Sequence, residues 1–179
     1  MFPRMKKSPS DNPDSKSRNR VAALFRRGTE LLQRSDPVRA AQLLEQAHQL
    51  DPSRADIALN LSGAYILTRK FRQAVPLLET LSEQEPDNPM VWTNLGAAYL
   101  GNPVLARDEE QQRAIAAFQR ALEIDPIAPN VAYNIGLIYR DRRDTDQAIH
   151  WFTKAIQANP NDQDARSILR RLLATQEEE

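Results

Sequence analysis

Residues 92–99 read Trp-Thr-Asn-Leu-Gly-Ala-Ala-Tyr, and the small residue in this stretch recurs along the chain. Its counterparts, in steps of 34, 34 and 40, are Gly28, Ser62, Gly96 and Gly136. Two further series, each in steps of 34, 40 and 34, are alanines at 40, 74, 114 and 148 and prolines at 52, 86, 126 and 160. The chain therefore contains a 34-residue repeat, with one six-residue insertion between Gly96 and Ala114.

Each repeat is predicted to form two antiparallel helices, because apolar residues recur at helical spacing in both of its halves. The Gly or Ser of the first helix and the Ala of the second are expected where the two helices cross closely, with Tyr and Phe filling the space around that contact. A Pro ends the second helix, since it lacks an N–H. Asp36, Asp108 and Asp144 are predicted to cap second helices, Asp108 within a capping box.

Eight typed positions mark the third unit, and most of them recur in register in each of the other three. In the third unit they are Trp92, Leu95, Gly96, Tyr99, Ala114, Phe118, Ala121 and Pro126. Over residues 21–162 the sequence resembles the tetratricopeptide repeat family in this pattern. The resemblance implies an all-α fold, a right-handed α-solenoid of four helix pairs plus a C-terminal capping helix. The four repeats are expected at 17–54, 55–88, 89–128 (with the six-residue insertion) and 129–162.

The two ends of the chain are expected to differ from the repeats. Residues 163–175 are predicted to form the capping helix, whose apolar face consists of Ala165, Ile168, Leu169, Leu172 and Leu173. Residues 1–16 lack apolar periodicity and are predicted to be a disordered basic tail. Residues 176–179 are expected to be an acidic end.

The amino-acid composition favours a structural or binding protein over an enzyme. The 24 Lys and Arg residues balance 24 Asp and Glu, the chain has no Cys, and its two histidines, His48 and His150, occupy different repeat positions. Five Gly residues cannot be assembled into a phosphate-binding loop. We therefore predict no enzyme activity, no catalytic residue, no metal, no cofactor and no nucleic-acid partner. With no long apolar run and no secretory h-region, we also predict no membrane insertion and a cytoplasmic location.

The resemblance implies that the first helices line a concave groove that contacts an extended peptide. The partner-binding residues are then predicted to be Asn60, Asn94, Asn134, Leu59, Met90, Thr93, Tyr133 and Leu137. The three asparagines would hold the partner backbone, since an amide can both donate and accept, and the other residues would accept its side chains. Asn is also the usual residue at this position in the family, so repeat consensus explains the asparagines equally well.

These patterns predict a scaffold or adaptor that binds an extended segment of another protein. The alternative is a structural assembly subunit that self-associates or docks through its convex face, its ends or the loop at 101–107, which contains Val104 and Leu105. A third possibility is a nucleic-acid accessory role for residues 1–20, which hold six basic and two acidic residues.

Overall fold

The computed structural model describes residues 13–102 and 106–177, which fall into two compact helical units. The unit that ends at Lys70 contains α1 (Pro13–Gln33), α2 (Pro37–Leu50) and α3 (Ala55–Leu67). The unit that begins at Phe71 contains α4 (Phe71–Gln84), α5 (Pro89–Leu100), α6 (Asp108–Ile124), α7 (Val131–Asp141), α8 (Thr145–Ala158) and α9 (Gln163–Glu177). Within each unit every helix packs against the next helix along the chain. The predicted all-α fold is confirmed.

Side-chain caps mark several of the helix starts. An oxygen of Asp36 accepts from the Arg39 amide at 3.2 Å, and an oxygen of Asp144 accepts from the Gln147 amide at 3.2 Å. Each bond satisfies a first-turn N–H that has no partner inside the helix. Asp36 and Asp144 therefore cap α2 and α8, as the sequence predicts.

The turn between the first and second helix of a repeat uses a left-handed residue in three places. Ser35, Arg69 and Arg143 have φ near 60°. After each of them the next amide donates back to a carbonyl five residues earlier, for example Lys70 to Tyr65 at 2.8 Å and Asp144 to Tyr139 at 3.0 Å. Such a bond satisfies a carbonyl at the end of the first helix and reverses the chain within a few residues.

The small residues of the first helices lie directly against large side chains of the second helices. A Cβ added to Gly96 would lie 2.6 Å from the Phe118 ring, and one added to Gly28 would lie 2.7 Å from Leu44. At Gly136 the corresponding distance to Phe152 is 3.1 Å. The prediction of close helix crossings is confirmed at these glycines, and the partner on the second helix is the aromatic or leucine side chain.

At the ends of the chain, one prediction is wrong and another is wrong at a single residue. Helix α1 begins at Pro13, so residues 13–16 are helical instead of belonging to a disordered tail. A Pro at the start of a helix costs no hydrogen bond, because the first N–H groups have no intrahelical partner. In α9, Ala165 and Ile168 are buried, and Leu169 and Leu172 pack against the same core. Leu173 is 43% exposed, because it lies at the edge of that stripe.

The predicted cap at Asp108 is displaced by one residue. Asp108 is the first residue of α6, and Arg107 precedes it as the cap. The Glu110 carboxylate accepts from the Arg107 amide at 2.8 Å, so the glutamate half of the capping box is present. An Arg side chain has no acceptor for the other half. Val104 and Leu105, which belong to the loop at 101–107, lie outside the described residues.

Candidate functional site

The first predicted asparagine has a partner inside its own unit. Asn60 on α3 donates from Nδ2 to Thr29 Oγ1 on α1 at 2.9 Å, and that hydroxyl donates to the Phe25 carbonyl at 3.0 Å. The amide therefore links two neighbouring first helices, and its nitrogen is engaged in the folded protein. Leu59, the residue before it, is half-buried on the same helix.

The other two asparagines lie in the second unit at equivalent positions 40 residues apart, Asn94 on α5 and Asn134 on α7. Both are half-buried. Within the described residues, neither side-chain amide has a hydrogen-bond partner, and neither carries a fully buried polar atom. The residue that corresponds to Thr29 is Ala97 for Asn134, and its methyl group cannot accept a hydrogen bond. The amides of Asn94 and Asn134 are therefore free to bind another molecule.

The residues predicted to accept partner side chains differ in exposure. Met90 at the start of α5 is 59% exposed. Thr93 is half-buried, and its hydroxyl donates to the Pro89 carbonyl at 2.9 Å, so its methyl group is the part left for contact. Tyr133 and Leu137 on α7 are half-buried and pack against the core of the second unit. The groups that these four residues offer for contact are therefore mainly apolar.

A cavity of about 280 Å³ opens beside the start of α7. Both apolar and polar side chains line this cavity. They include Ile127, Asn130, Tyr133, Ala155, Asn159 and Asp162. Ile127 and Asp162 were not among the site residues predicted from the sequence. Ile127 is 66% exposed between Pro126 and Pro129, and a large aliphatic residue between two prolines in a turn was the signal that could have identified it.

Burial and charged side chains near this cavity shift the pKa of Tyr133. Burial raises the pKa of its phenol, the carboxylates of Asp164 and Asp162 raise it further, and Arg140 opposes them. The ring packs edge-on against Phe152 with 5.6 Å between centroids. Tyr133 therefore stays protonated at neutral pH and offers a hydroxyl at the cavity wall.

Tyrosine–glutamate pairs lie between the second helix of one repeat and the first helix of the next. The Tyr99 hydroxyl donates to Glu79 Oε1 at 2.8 Å, and Arg113 donates to the same oxygen at 2.8 Å. In the first unit the Glu45 carboxylate acts on the Tyr65 hydroxyl, and Lys70 Nζ lies 3.7 Å from that carboxylate. Burial, with the hydrogen bond and the charge of Glu45, raises the pKa of Tyr65 to about 12.

The raised pKa of Tyr65 predicts a loss of stability in alkali. In the unfolded chain a tyrosine ionises near pH 10, so the contribution of Tyr65 is fully present below pH 10 and is lost as the pH rises toward 12. We expect the free energy of unfolding to fall less steeply between pH 10 and 12 for Tyr65→Phe than for the wild type. Urea unfolding at several pH values measures this, and parallel curves for the two proteins would contradict it.

The described residues contain no group of three or more His, Asp or Glu side chains that could hold a metal ion. His150 is exposed, with its ring 5.5 Å from that of Trp151, which is buried in the core. In the part of the chain that the structure describes, every helix is too short or too polar to cross a membrane.

Two models of the tetratricopeptide repeat match the sequence, one over residues 31–98 and one over residues 129–162, and together they cover more than half of the chain. The chain belongs to the tetratricopeptide repeat family. These repeats are interaction modules, so the predictions of a non-enzymatic protein and of a protein–protein interaction scaffold are confirmed at the level of the family.

Two of the relatives that this chain resembles have names that state a role. The photosystem I assembly protein Ycf3 of Prochlorococcus marinus is 36% identical over 111 residues, which are 58% of this chain and 59% of Ycf3. The peroxisomal targeting signal receptor of Candida albicans is 26% identical over 133 residues, which are 74% of this chain and 20% of the receptor. The chain thus spans between a fifth and three fifths of the length of these relatives.

A solved structure supports the fold. MamA from Desulfovibrio magneticus RS-1 superimposes with a TM-score of 0.68 at 22% identity, over 80% of this chain and 77% of MamA. At this identity the likeness concerns the helical-repeat fold alone.

Proposed function

We propose that this protein is a scaffold that holds an extended segment of a partner protein against α5 and α7. The observation that carries the proposal is the pair of half-buried amides at Asn94 and Asn134, which have no partner among the described residues. An amide placed one repeat after another can donate to and accept from successive peptide units of an extended chain. Because the amides bind the partner's backbone and not its side chains, this contact tolerates many partner sequences.

The surrounding side chains supply the apolar part of the contact. Met90, the Thr93 methyl group and Leu137 would pack against partner side chains, and Tyr133 with its adjoining cavity would accept a larger one. Leu59 and Asn60 on α3 belong to the first unit, where the Asn60 oxygen remains available to a partner. The named roles of the two relatives, photosystem assembly and targeting-signal reception, are consistent with a protein that acts by binding proteins.

A random decapeptide library displayed on phage provides the probe. Peptides enriched on the immobilised wild-type protein are synthesised, and their Kd values are measured by isothermal titration calorimetry. We expect enrichment of peptides with varied side chains and Kd values of about 1–100 μM, typical of short segments in an exposed groove. Failure to enrich any peptide, together with concentration-dependent assembly in light scattering, would instead favour the structural assembly subunit.

A substitution that supplies an internal partner is expected to close the site. In Ala97→Thr, the new hydroxyl can accept from Asn134 Nδ2 as Thr29 accepts from Asn60. We expect the selected peptides to bind about tenfold more weakly, because the amide must break this bond before it can engage the peptide.

The matched control is Ala116→Thr on the exposed side of α6. It adds the same hydroxyl and methyl groups away from the site and should leave the Kd unchanged. Slowed exchange of the Asn134 side-chain amide in NMR spectra reports whether the intended bond forms. If the bond forms and peptide binding is unaffected, the role proposed for Asn134 is wrong.

The predicted cytoplasmic location and the absence of a nucleic-acid partner stay predictions.

A further inference from the structure

One exposed face of α1 carries a straight row of mostly basic residues. Its members, separated alternately by four and three positions, are Lys16, Arg20, Ala23, Arg27, Glu30 and Arg34. This spacing keeps them on one side of the helix over about 27 Å. Arg34 follows the last residue of α1, but its amide still donates to the Glu30 carbonyl at 3.1 Å and so continues the helical path. We call these six residues the α1 row.

A different side of α1 is occupied by the core. Val21 and Gly28 are buried, and Leu24 and Phe25 pack against the core of the first unit. The α1 row therefore projects from a helix whose orientation is set by packing, and the arginine side chains start from a rigid backbone.

The arginines of the row lack carboxylate partners. Within the described residues, Arg20, Arg27 and Arg34 form no ion pair. Arginines elsewhere do form them: Arg39 with Asp36, Arg54 with Asp56, Arg113 with Glu79 and Arg140 with Asp141. The first part of the sequence is also the more positively charged. Residues 1–70 hold 13 basic and 7 acidic side chains, whereas residues 71–179 hold 11 basic and 17 acidic side chains. Positive charge thus accumulates in the first unit.

We propose that the α1 row docks an acidic helix of a partner protein, independently of the α5 and α7 surface. Arg20, Arg27 and Arg34 are seven residues apart, about 10.5 Å per step, which matches carboxylates spaced by seven on a second helix lying alongside. The planar guanidinium group pairs with a carboxylate through two parallel hydrogen bonds. The alternating four–three spacing is the one with which helices pack side by side.

Two residues in the row favour a patterned protein partner over a uniformly anionic one. Ala23 is small and exposed, so a second helix can approach closely there. Glu30 places a negative charge between Arg27 and Arg34, where it would repel a continuous row of phosphates but would attract a basic residue on a partner helix. The row also has no aromatic side chain on which a nucleic-acid base could stack.

The test uses a designed 21-residue helical peptide with three Glu at seven-residue intervals and one Lys opposite Glu30. A control peptide has the same composition with the Glu residues five apart, so that they do not share a face. Binding to the full chain is measured at low and at physiological salt. We expect the triple variant R20Q/R27Q/R34Q to weaken binding about tenfold, and R72Q/R107Q/R170Q, which removes the same charge from exposed sites elsewhere, to change it less than about twofold.

The substitution Glu30→Lys is expected to affect binding of the designed peptide and binding of other anionic partners in opposite directions. The substitution should weaken binding of the designed peptide, whose Lys faces position 30, but should strengthen binding to a DNA duplex or to phosphatidylserine vesicles. The proposal is overturned if the control peptide binds as well as the designed one, if Glu30→Lys strengthens peptide binding, or if the DNA or the vesicles bind more tightly than the designed peptide. Absence of peptide binding at millimolar concentration in low salt would overturn it as well.

Discussion

Replacing Gly96 with alanine is expected to lower the free energy of unfolding by about 1–3 kcal/mol, although alanine is the better helix former. The added Cβ would lie 2.6 Å from two atoms of the Phe118 ring and 2.9 Å from a third. Phe118 is fully buried, so the ring cannot turn into solvent and either α5 or the ring must shift. Urea-induced unfolding followed by circular dichroism measures the effect.

The same substitution at two other glycines makes the prediction quantitative. Apart from Gly63 itself, its two neighbours and the backbone of its own helix, no described atom lies within 4 Å of a Cβ added there. Gly63→Ala should therefore stabilise the protein by about 0.5–1 kcal/mol. At Gly136 the nearest ring atom is 3.1 Å away, and the effect of alanine should lie between the other two. The double variant Gly96→Ala with Phe118→Leu should recover part of the loss. If Gly96→Ala and Gly63→Ala change stability alike, the close crossing is not what requires a glycine.

Replacing Asn94 and Asn134 together with alanine is expected to weaken the selected peptides about a hundredfold. Each substitution leaves a peptide N–H or C=O unpaired against a half-buried surface, at about 1–1.5 kcal/mol per site. The unfolding free energy should change little, because neither amide has a hydrogen bond in the described protein. Calorimetric titration of wild type and variant with one selected peptide measures the change in Kd.

Two comparisons separate the role of these amides from that of asparagine in general. Asn60→Ala should cost stability, since it breaks the bond to Thr29, and should weaken peptide binding less than about threefold. Asn19 and Asn161 are exposed, and their joint replacement with alanine should leave both quantities unchanged. If the Asn94 and Asn134 double variant binds as tightly as wild type, the α5 and α7 surface is not the binding site.

Most of the fold was predictable because the repeated small residues mark the places where two helices pack closely. The spacing of Gly28, Gly96 and Gly136 indicated where helices cross, and the structure places Leu44, Phe118 and Phe152 directly over them. The caps at Asp36 and Asp144 were predictable for a similar reason, since a cap depends on only three or four consecutive residues.

The errors fall where the sequence offers two local solutions of similar energy. Asp108 and Arg107 were alternative starts for α6, and the carboxylate of Glu110, three residues after Arg107, decides between them. Residues 13–16 contain no apolar repeat, yet they extend α1, because a Pro and polar residues are well suited to the first turn of a helix that is already packed.

The 34-residue pattern in the amino-acid sequence was sufficient to establish the helices, their order and the family, since these depend on short-range spacing and on the size of a few side chains. Only the tertiary structure showed that the three asparagines are not equivalent. Asn60 meets Thr29, a residue 31 positions earlier on another helix, while the counterpart of Thr29 for Asn134 is Ala97. Whether an amide is engaged or free depends on the residue that folding brings beside it, because a hydrogen bond requires a donor and an acceptor about 3 Å apart.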